Sequence, residues 1–168
     1  MARYYNITGE LTQQLIAPNS NVKINEISFT NIQKVSNCKV DLYIEKSLAG
    51  KFYLLKDVEI PRGATLLYDD INFDTSFGLY IKLTDGDTFT LTGSIDVTGT
   101  NVNVPGTNTL FTSQLSIGDE VVVSGETRTI ATITSDTAAT VTAAFGSDLA
   151  NDTSPDCNPT ALVDVIIN

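Results

Sequence analysis

Residues 161–167 are Ala161-Leu162-Val163-Asp164-Val165-Ile166-Ile167, and this stretch decides how the chain is organised. Its apolar, β-branched composition is typical of a strand that contributes to a core. A strand of similar character occurs much earlier, and we interpret Asp41–Ile44 and Leu162–Ile167 as two strands of one sheet. Because a long stretch of different composition separates them, the simplest account is a host β-domain interrupted by an inserted β-module before its final strand.

Charge and threonine content mark the extent of the inserted module. Residues 1–83 hold nine Lys or Arg and nine Asp or Glu, whereas residues 84–168 hold one basic and eleven acidic residues. Of the 23 threonines, 18 lie between Thr84 and Thr160, so the same region differs in two properties. The predicted domains are a host β-sandwich at 1–92 plus 158–168 and a Thr-rich acidic module at 93–157.

Strand patterns dominate the predicted host domain. Val40, Leu42 and Ile44 alternate with more polar residues, as in an antiparallel strand that has one buried face. A strand is also predicted from Val22 to Phe29, and another at Leu11–Ala17, where a short helix is the alternative. These strands predict an antiparallel β-sandwich that is either Ig-like or jelly-roll-like.

The predicted module has shorter strands that are rich in Thr and Val. About five of them follow one another between turn residues. Pro105-Gly106 is predicted to stop one strand, and Asp148–Pro159 is predicted to be a polar return linker. Closely spaced short strands are typical of a small barrel or sandwich. The whole chain is therefore predicted to be all-β, with a small β-barrel or sandwich module inserted into the host sandwich.

Composition argues against several classes of function. The net charge of −10 and the lack of clustered Lys and Arg argue against a nucleic-acid partner. No run of about 18 apolar residues occurs, so we expect no membrane span. The first residues contain no apolar segment typical of a signal peptide, so we expect assembly in the cytoplasm. The charge suits a face turned toward water, or it only keeps a β-rich chain from aggregating.

The sequence contains no recognisable catalytic constellation. The chain has no His, so Cys–His nucleophile pairs and the usual zinc sites are absent. Acidic pairs such as Asp69-Asp70, Asp85-Gly86-Asp87 and Asp119-Glu120 are interpreted as solvated turns rather than as calcium ligands or a glycosidase pair. Cys38 and Cys157 are expected as free thiols, with a disulfide left open. We expect no enzymatic activity, no cofactor and no metal.

Part of the predicted host domain resembles a known family. The stretch Ile24-Asn25-Glu26-Ile27-Ser28-Phe29-Thr30-Asn31-Ile32 is followed by Val40-Asp41-Leu42-Tyr43-Ile44, Tyr53-Leu54-Leu55-Lys56, Ile60-Pro61-Arg62-Gly63-Ala64 and Leu79-Tyr80-Ile81-Lys82-Leu83. With residues 161–167, these segments are similar to small virion structural proteins of tailed bacteriophages, especially of marine and cyanobacterial phages. In that family the final strand follows the last of these segments closely, so the resemblance implies that residues 93–157 are an insertion.

The predicted module has a resemblance of its own. It begins with Gly106-Thr107-Asn108-Thr109-Leu110-Phe111-Thr112-Ser113-Gln114-Leu115-Ser116-Ile117-Gly118-Asp119, followed by Val121-Val122-Val123 and Arg128-Thr129-Ile130. These segments are similar to a small β-module of phage virion and fibre-like proteins, although Asn108 stands where that module usually has the second Gly of Gly-x-Gly. The resemblance implies turns and buried strands rather than catalysis.

The tyrosines are the candidate contact residues. Tyr combines a large apolar ring with a polar tip, and it is therefore enriched at protein interfaces. The alternative is that these residues only cap the sheet edges of a small core. The predicted contact surface consists of Tyr4, Tyr5, Tyr43, Tyr53, Tyr68 and Tyr80.

Together, these observations predict a structural protein on the surface of a phage particle. The preferred assignment is a capsid decoration (cement) protein, which binds the major capsid protein through its host sandwich and leaves the acidic module in water. Because capsid sites are many and identical, we expect a symmetric homo-oligomer, with a trimer preferred. The alternatives are a neck, tail or fibre protein bound to other virion proteins, and a host-surface glycan-binding module whose site lies in the inserted barrel.

Overall fold

Almost all regular structure in this chain is β-strand, which confirms the predicted all-β class. The structure is a computed structural model that describes residues 2–69 and 71–168. The first seven strands are β1 (Arg3–Thr8), β2 (Thr12–Ile16), β3 (Glu26–Asn31), β4 (Cys38–Lys46), β5 (Gly50–Ile60), β6 (Thr65–Asp69) and β7 (Gly78–Thr84). The later elements are β8 (Phe89–Thr90), β9 (Ser94–Val97), β10 (Asn103–Thr107), α1 (Phe111–Gln114), β11 (Glu120–Val123), β12 (Glu126–Ser135), β13 (Ala138–Val141), β14 (Leu149–Asp152), β15 (Asp156–Asn158) and β16 (Leu162–Ile167).

The chain divides into two compact units, which we call unit 1 and unit 2. Unit 1 comprises residues 1–85 and 161–168, and unit 2 comprises residues 86–160. The predicted boundaries lie a few residues inside unit 2, after residue 92 and before residue 158. The difference arises because Cys157 of β15 pairs with Phe89 of β8, so both short strands belong to the sheet of unit 2.

Unit 1 is a jelly roll built from two four-stranded antiparallel sheets. Sheet A has the order β1-β16-β3-β6, and sheet B has the order β2-β7-β4-β5. With its eight strands counted along the chain, the two orders are 1-8-3-6 and 2-7-4-5, the arrangement that distinguishes a jelly roll from an Ig-like sandwich. Unit 2 therefore occupies the connection between the seventh and eighth strands of the jelly roll.

The last strand pairs within the N-terminal part of the chain, as predicted. Val165 of β16 lies opposite Tyr5 of β1 on one side and Phe29 of β3 on the other. The prediction that Asp41–Ile44 belongs to the same sheet is wrong, because those residues lie in β4 of sheet B. Similar composition marks strands that face one core, and in a sandwich such strands come from both sheets.

Alternating side chains place the core of unit 1 between its sheets. Ile27, Phe29 and Asn31 of β3 are fully buried, and Val163 and Val165 of β16 lie beside them. Asn31 is tolerated there because its Nδ2 donates to the Ile60 carbonyl at 3.0 Å. The predicted strand at Leu11–Ala17 is confirmed as β2. The strand predicted from Val22 begins only at Glu26.

Unit 2 is one eight-stranded antiparallel sheet with its own core. The strand order is β14-β9-β10-β13-β12-β11-β15-β8. Phe111 of α1 and Leu115 just after it are fully buried, so the short helix supplies part of the core. Helix α1 escaped prediction because its Thr and Ser residues have low helix propensity. The remaining buried core residues are Leu91, Ile95, Val97, Val104, Val121, Val123, Ile130, Ala139, Val141, Phe145 and Cys157.

Strand β10 continues through Pro105-Gly106, where the sequence predicted a stop. Asn103–Pro105 pair with β13, whereas Gly106 and Thr107 pair with β9, so the strand changes partner at this dipeptide. Gly106 N donates to the Thr137 carbonyl at 2.9 Å. A Cβ on Gly106 would lie 2.1 Å from Thr109 Oγ1, so only glycine fits.

The predicted return linker at Asp148–Pro159 contains two strands. Strand β14 pairs with β9, and β15 is hydrogen-bonded between β11 and β8. Each strand has at most four residues, and Cys157 is the one side chain of β15 that is buried. The alternation of apolar and polar residues is therefore too short to recognise in the sequence.

Candidate functional site

Three of the six predicted contact tyrosines form a row on the outer face of sheet B, which we call the tyrosine cluster. In the strand register, Tyr43 of β4 lies between Tyr53 of β5 and Tyr80 of β7. The ring centroids of Tyr43 and Tyr80 are 5.6 Å apart with nearly parallel planes, and those of Tyr43 and Tyr53 are also 5.6 Å apart. Ring pairs at such separations stabilise one another beyond the area that they bury.

Two lysines cover the tyrosine cluster. Lys51 Nζ lies 3.8 Å from the centroid of the Tyr43 ring, and Lys56 Nζ lies 5.2 Å from that of Tyr53. Both distances are typical of cation–π contacts. Lys56 also forms ion pairs with Asp41 at 2.9 Å and with Asp57 at 2.8 Å. Its hydrogen bonds to these two carboxylates hold the pKa of Lys56 above its usual value, so the ammonium stays charged near neutral pH.

The accessible part of this cluster is amphipathic. Tyr43 is only 2% exposed, whereas Tyr53 is 46% exposed and presents its ring to solvent. Gln14 Nε2 of β2 donates to the Tyr80 hydroxyl at 2.7 Å, which fixes the edge of the cluster. The arrangement offers a partner one open aromatic ring, flanking ammonium groups and a rigid sheet beneath them. It offers no group that is placed to act as a nucleophile with a base partner.

The other three tyrosines lie elsewhere, so the six do not form a single surface. Tyr5 of β1 and Tyr68 of β6 pack against the core of unit 1, and the Tyr5 hydroxyl donates to the Leu15 carbonyl. Tyr4 is 73% exposed on the outer face of sheet A. Alternation along β1 separates Tyr4 from Tyr5, since successive side chains of a strand point to opposite faces.

Tyr4 belongs to an apolar row that sequence reasoning missed. The register places Tyr4, Ile166, Ser28 and Leu67 side by side across sheet A. Leu67 is 60% exposed. The alternation of β6 carries the signal for this row, because Leu67 has the parity of the polar residues Thr65 and Asp69.

The row next to it is polar and satisfied internally. Asn6 Nδ2 donates to Asp164 Oδ1 at 2.7 Å, and the Thr30 and Thr65 hydroxyls are 2.9 Å apart. Because these side chains already hydrogen-bond one another, the outer face of sheet A has adjacent apolar and polar rows. The apolar row is the part of this face that gains most from being covered.

Asp119 of unit 2 was interpreted as part of a solvated turn, and the structure corrects this. Its side chain is fully buried. Asp119 Oδ2 accepts from Ser116 N at 2.7 Å, and Oδ1 accepts from Thr160 N at 3.0 Å. A buried carboxylate is stabilised by hydrogen bonds from backbone amides, so Asp119 connects the turn before β11 to the end of unit 2.

Two other carboxylates in acidic segments accept hydrogen bonds from backbone amides. Asp74 Oδ1 accepts from Ser76 N at 2.9 Å, and Asp85 Oδ1 accepts from Ala161 N at 2.7 Å. Asp70 lies outside the described residues. Among residues 2–69 and 71–168, no group of three or more His, Cys, Asp or Glu is arranged to hold a metal ion.

Both cysteines are buried and free. Burial raises the pKa of the Cys38 thiol to about 11, and the nearby carboxylates of Asp85 and Glu59 add to the effect. Burial and then the charge of Asp119 raise the pKa of the Cys157 thiol as well. Neither thiol therefore has the low pKa that a nucleophilic cysteine requires near neutral pH.

Comparisons with known proteins leave the family open. Family models, curated proteins and solved structures give no significant match to this chain. In the part of the chain that the structure describes, no helix is long and apolar enough to cross a membrane. The functional argument therefore rests on the geometry of the two units and on their charges.

Proposed function

We propose that this chain is a structural protein of a tailed-bacteriophage particle, and specifically a decoration protein that binds the assembled capsid. The observation that carries the proposal is an acidic β-unit inserted before the last strand of a jelly roll. Jelly rolls are a recurrent architecture of viral capsid proteins. Because fold alone does not specify function, the charges and exposed surfaces of the two units supply the rest of the argument.

The resemblance to small phage virion proteins supports the proposal. Its segments lie on β3, β4, β5, β7 and β16 of unit 1, and residues 60–64 include the turn before β6. These strands contribute to both sheets of the jelly roll. The resemblance therefore covers a set of strands that pack together around one core, rather than fragments scattered over unrelated parts of the chain.

The division of charge supports docking through unit 1. Unit 1 holds nine basic and eleven acidic residues, whereas unit 2 holds one basic and nine acidic residues. Packing unit 2 against a capsid would remove from water carboxylates that outnumber the basic residues of the unit nine to one, which is costly. Unit 1 is nearly neutral and exposes the tyrosine cluster, whose ring and ammonium groups are typical of protein interfaces.

The test is binding to phage heads that lack the protein. We expect the purified chain to bind expanded heads and to raise the temperature at which they release DNA. Tyr53→Glu places a charge in the tyrosine cluster and is expected to weaken head binding tenfold or more. Ile117→Glu alters a residue that is 64% exposed in unit 2, and it is the matched control expected to bind normally. Failure of the wild-type chain to bind any head preparation would contradict the proposal.

A position in the neck, tail or fibre apparatus is the second candidate. The observation that favours it is the similarity of residues 106–130 to a β-module of fibre-like proteins. Cryo-electron microscopy of the intact particle separates the two positions by copy number. Hundreds of copies indicate the head lattice, whereas a small number that matches the symmetry of the tail axis indicates the neck or tail.

A host-surface glycan-binding module, with its site in unit 2, is the remaining alternative. Glycan sites commonly present an aromatic ring on which a sugar stacks. Unit 2 contains no Tyr or Trp. Its Phe111 and Phe145 are buried, and Phe89 packs against the same core. Specific binding on a glycan array, lost when unit 2 is altered, would favour this alternative over a structural role.

A further inference from the structure

The two sheets of the jelly roll differ in how their edges are protected. On sheet B, β5 carries Lys51 and Lys56, and its pairing with β4 shifts register around Asp57, whose φ is 51°. The other edge strand of sheet B, β2, shifts register between Gln14 and Ile16. Lysines and bulges on edge strands prevent another chain from adding to a sheet, so both edges of sheet B are protected.

Both edges of sheet A lack such protection. Strand β1 pairs with β16 over six consecutive residues and β6 pairs with β3 over five, in each case without a register shift. Neither edge strand contains Lys or Pro. No backbone hydrogen bond from other described residues reaches the outward side of either strand. Each edge therefore presents a straight row of backbone donors and acceptors.

The two edges of sheet A are complementary in direction. Every neighbouring pair in the order β1-β16-β3-β6 is antiparallel, so β1 and β6 run in opposite directions. When β6 of one copy meets β1 of another, the pair is therefore antiparallel and sheet A continues with the same alternation. Antiparallel pairing forms the same hydrogen-bond ladder that the sheet already uses.

Side chains on the two edges are complementary as well. Tyr4 of β1 and Leu67 of β6 end the same apolar row, so a continued sheet places Tyr4 of one copy beside Leu67 of the next. In that register Asn6 meets Thr65. Arg3 and Asp69 lie at the same end of the sheet with opposite charge, and neither forms an ion pair with another described residue.

We propose that the partner of sheet A is a second copy of this chain, joined by β1 of one copy adding to β6 of the next. The contact is head-to-tail, and it generates a ring when the rotation between copies closes. Main-chain hydrogen bonds supply the affinity, and the row from Tyr4 to Leu67 supplies the register. This inference goes beyond the proposed function, because it does not depend on where in a particle the protein binds.

The first test is the mass of the purified chain in solution, measured by light scattering and sedimentation velocity. We expect a discrete oligomer of the 18.1 kDa chain. Tyr4→Glu and Leu67→Glu each place a carboxylate in the contact and are expected to give monomers. Both side chains are mostly exposed, so each variant should keep the far-ultraviolet circular dichroism spectrum of the wild type and a cooperative unfolding transition, which shows that it folds. Ile117→Glu is the control that should remain oligomeric.

Mixing the two monomeric variants tests the head-to-tail arrangement. Tyr4→Glu retains an intact β6, and Leu67→Glu retains an intact β1, so the mixture should form a 1:1 complex of twice the monomer mass. A contact between two β1 strands predicts instead that Leu67→Glu stays dimeric and that the mixture adds nothing. That result, or a wild-type chain that is monomeric at its highest soluble concentration, overturns the proposal. Neither result depends on binding to phage heads.

Discussion

Unit 1 and unit 2 are both antiparallel β-structures with one core each, yet they use charged residues differently. In unit 1, Lys56 forms ion pairs with Asp41 and Asp57, and a minority of the carboxylates accept from backbone amides. These are four of its eleven acidic residues, namely Glu10, Asp41, Asp74 and Asp85. In unit 2, most carboxylates accept hydrogen bonds from backbone amides that lie outside the strands. Five of its nine acidic residues do so, namely Asp119, Glu126, Asp136, Asp148 and Asp152.

The difference follows from the length of the strands. Six of the eight strands of unit 2 have only four residues or fewer, so many of its backbone amides lie in turns and have no partner in a strand. A buried or half-buried amide needs an acceptor, and a carboxylate is a strong one. The acidic composition therefore stabilises the turns of unit 2 in addition to keeping its surface soluble.

The largest predicted effect distinguishes the two cores. Phe29→Ala in unit 1 and Phe111→Ala in unit 2 each remove a fully buried ring. We expect each substitution to lower the free energy of unfolding of its unit by about 3–5 kcal/mol. All six tyrosines lie in unit 1, so tyrosine fluorescence during urea unfolding follows that unit alone. We expect Phe29→Ala to shift this transition strongly and Phe111→Ala to shift it little. Equal shifts would mean that the units unfold as one.

The next effect tests whether the carboxylates of unit 2 are structural. Asp119→Ala removes the acceptor that Asp119 supplies to the amides of Ser116 and Thr160. We expect the free energy of unfolding to fall by about 1–3 kcal/mol for each of these two hydrogen bonds. Asp96→Ala removes an exposed carboxylate of the same unit and is expected to change stability by less than about 0.5 kcal/mol. Far-ultraviolet circular dichroism during urea unfolding measures both. Similar losses for the two variants would contradict a structural role for Asp119.

A smaller effect concerns the pH dependence of unit 2. The amide of Gly146 donates to Glu126 and lowers its pKa below the usual 4.5; Ser147 and Arg128 add to this, while burial opposes it. A lowered pKa contributes stability at neutral pH, and this contribution is lost as pH falls through the folded-state value. We expect Glu126→Gln to be less stable than wild type at pH 7 and to lose less stability below pH 4.5. The check is the free energy of unfolding of both proteins, measured by urea unfolding at several pH values between 7 and 3. A constant difference between the two proteins at all these pH values would contradict the prediction.

The smallest perturbation uses the buried thiols as reporters. Because Cys38 and Cys157 are buried and their pKa values are raised, neither should react with a thiol reagent at pH 8 before unfolding. Two thiols should react in denaturant. A Leu48→Cys variant provides the exposed control, since Leu48 lies fully in solvent in the β4–β5 turn. Rapid labelling of Cys157 alone in the native protein would show that unit 2 opens more readily than unit 1.

Much of the fold was predictable from local patterns. The alternation of Val40, Leu42 and Ile44 identified β4, because the period of a strand is visible within a few residues. The composition of residues 161–167 identified the last strand and its pairing with the N-terminal part of the chain. Strands β14 and β15 were missed, since four residues or fewer carry too little alternation.

The candidate site was only partly predictable. Tyrosine identity suggested contact residues, but Tyr5 and Tyr68 proved to pack against the core because of their parity within β1 and β6. Leu67 was missed since a single leucine in a short strand is normally assigned to a core. Asp119 was assigned to solvent, because nothing in the residues around it shows that the distant Thr160 amide needs an acceptor.

The sequence by itself determined that this protein is all-β, that its charge is divided between two regions, and that a strand after residue 160 completes the N-terminal part. These properties depend on composition and on the two-residue period of a strand, and both are local. Only the tertiary structure decided that β4 and β16 lie in different sheets, that the strand order is a jelly roll, and that the edges of sheet A are open. Each of these depends on which distant strands pair, because a strand's partners lie far from it in the sequence.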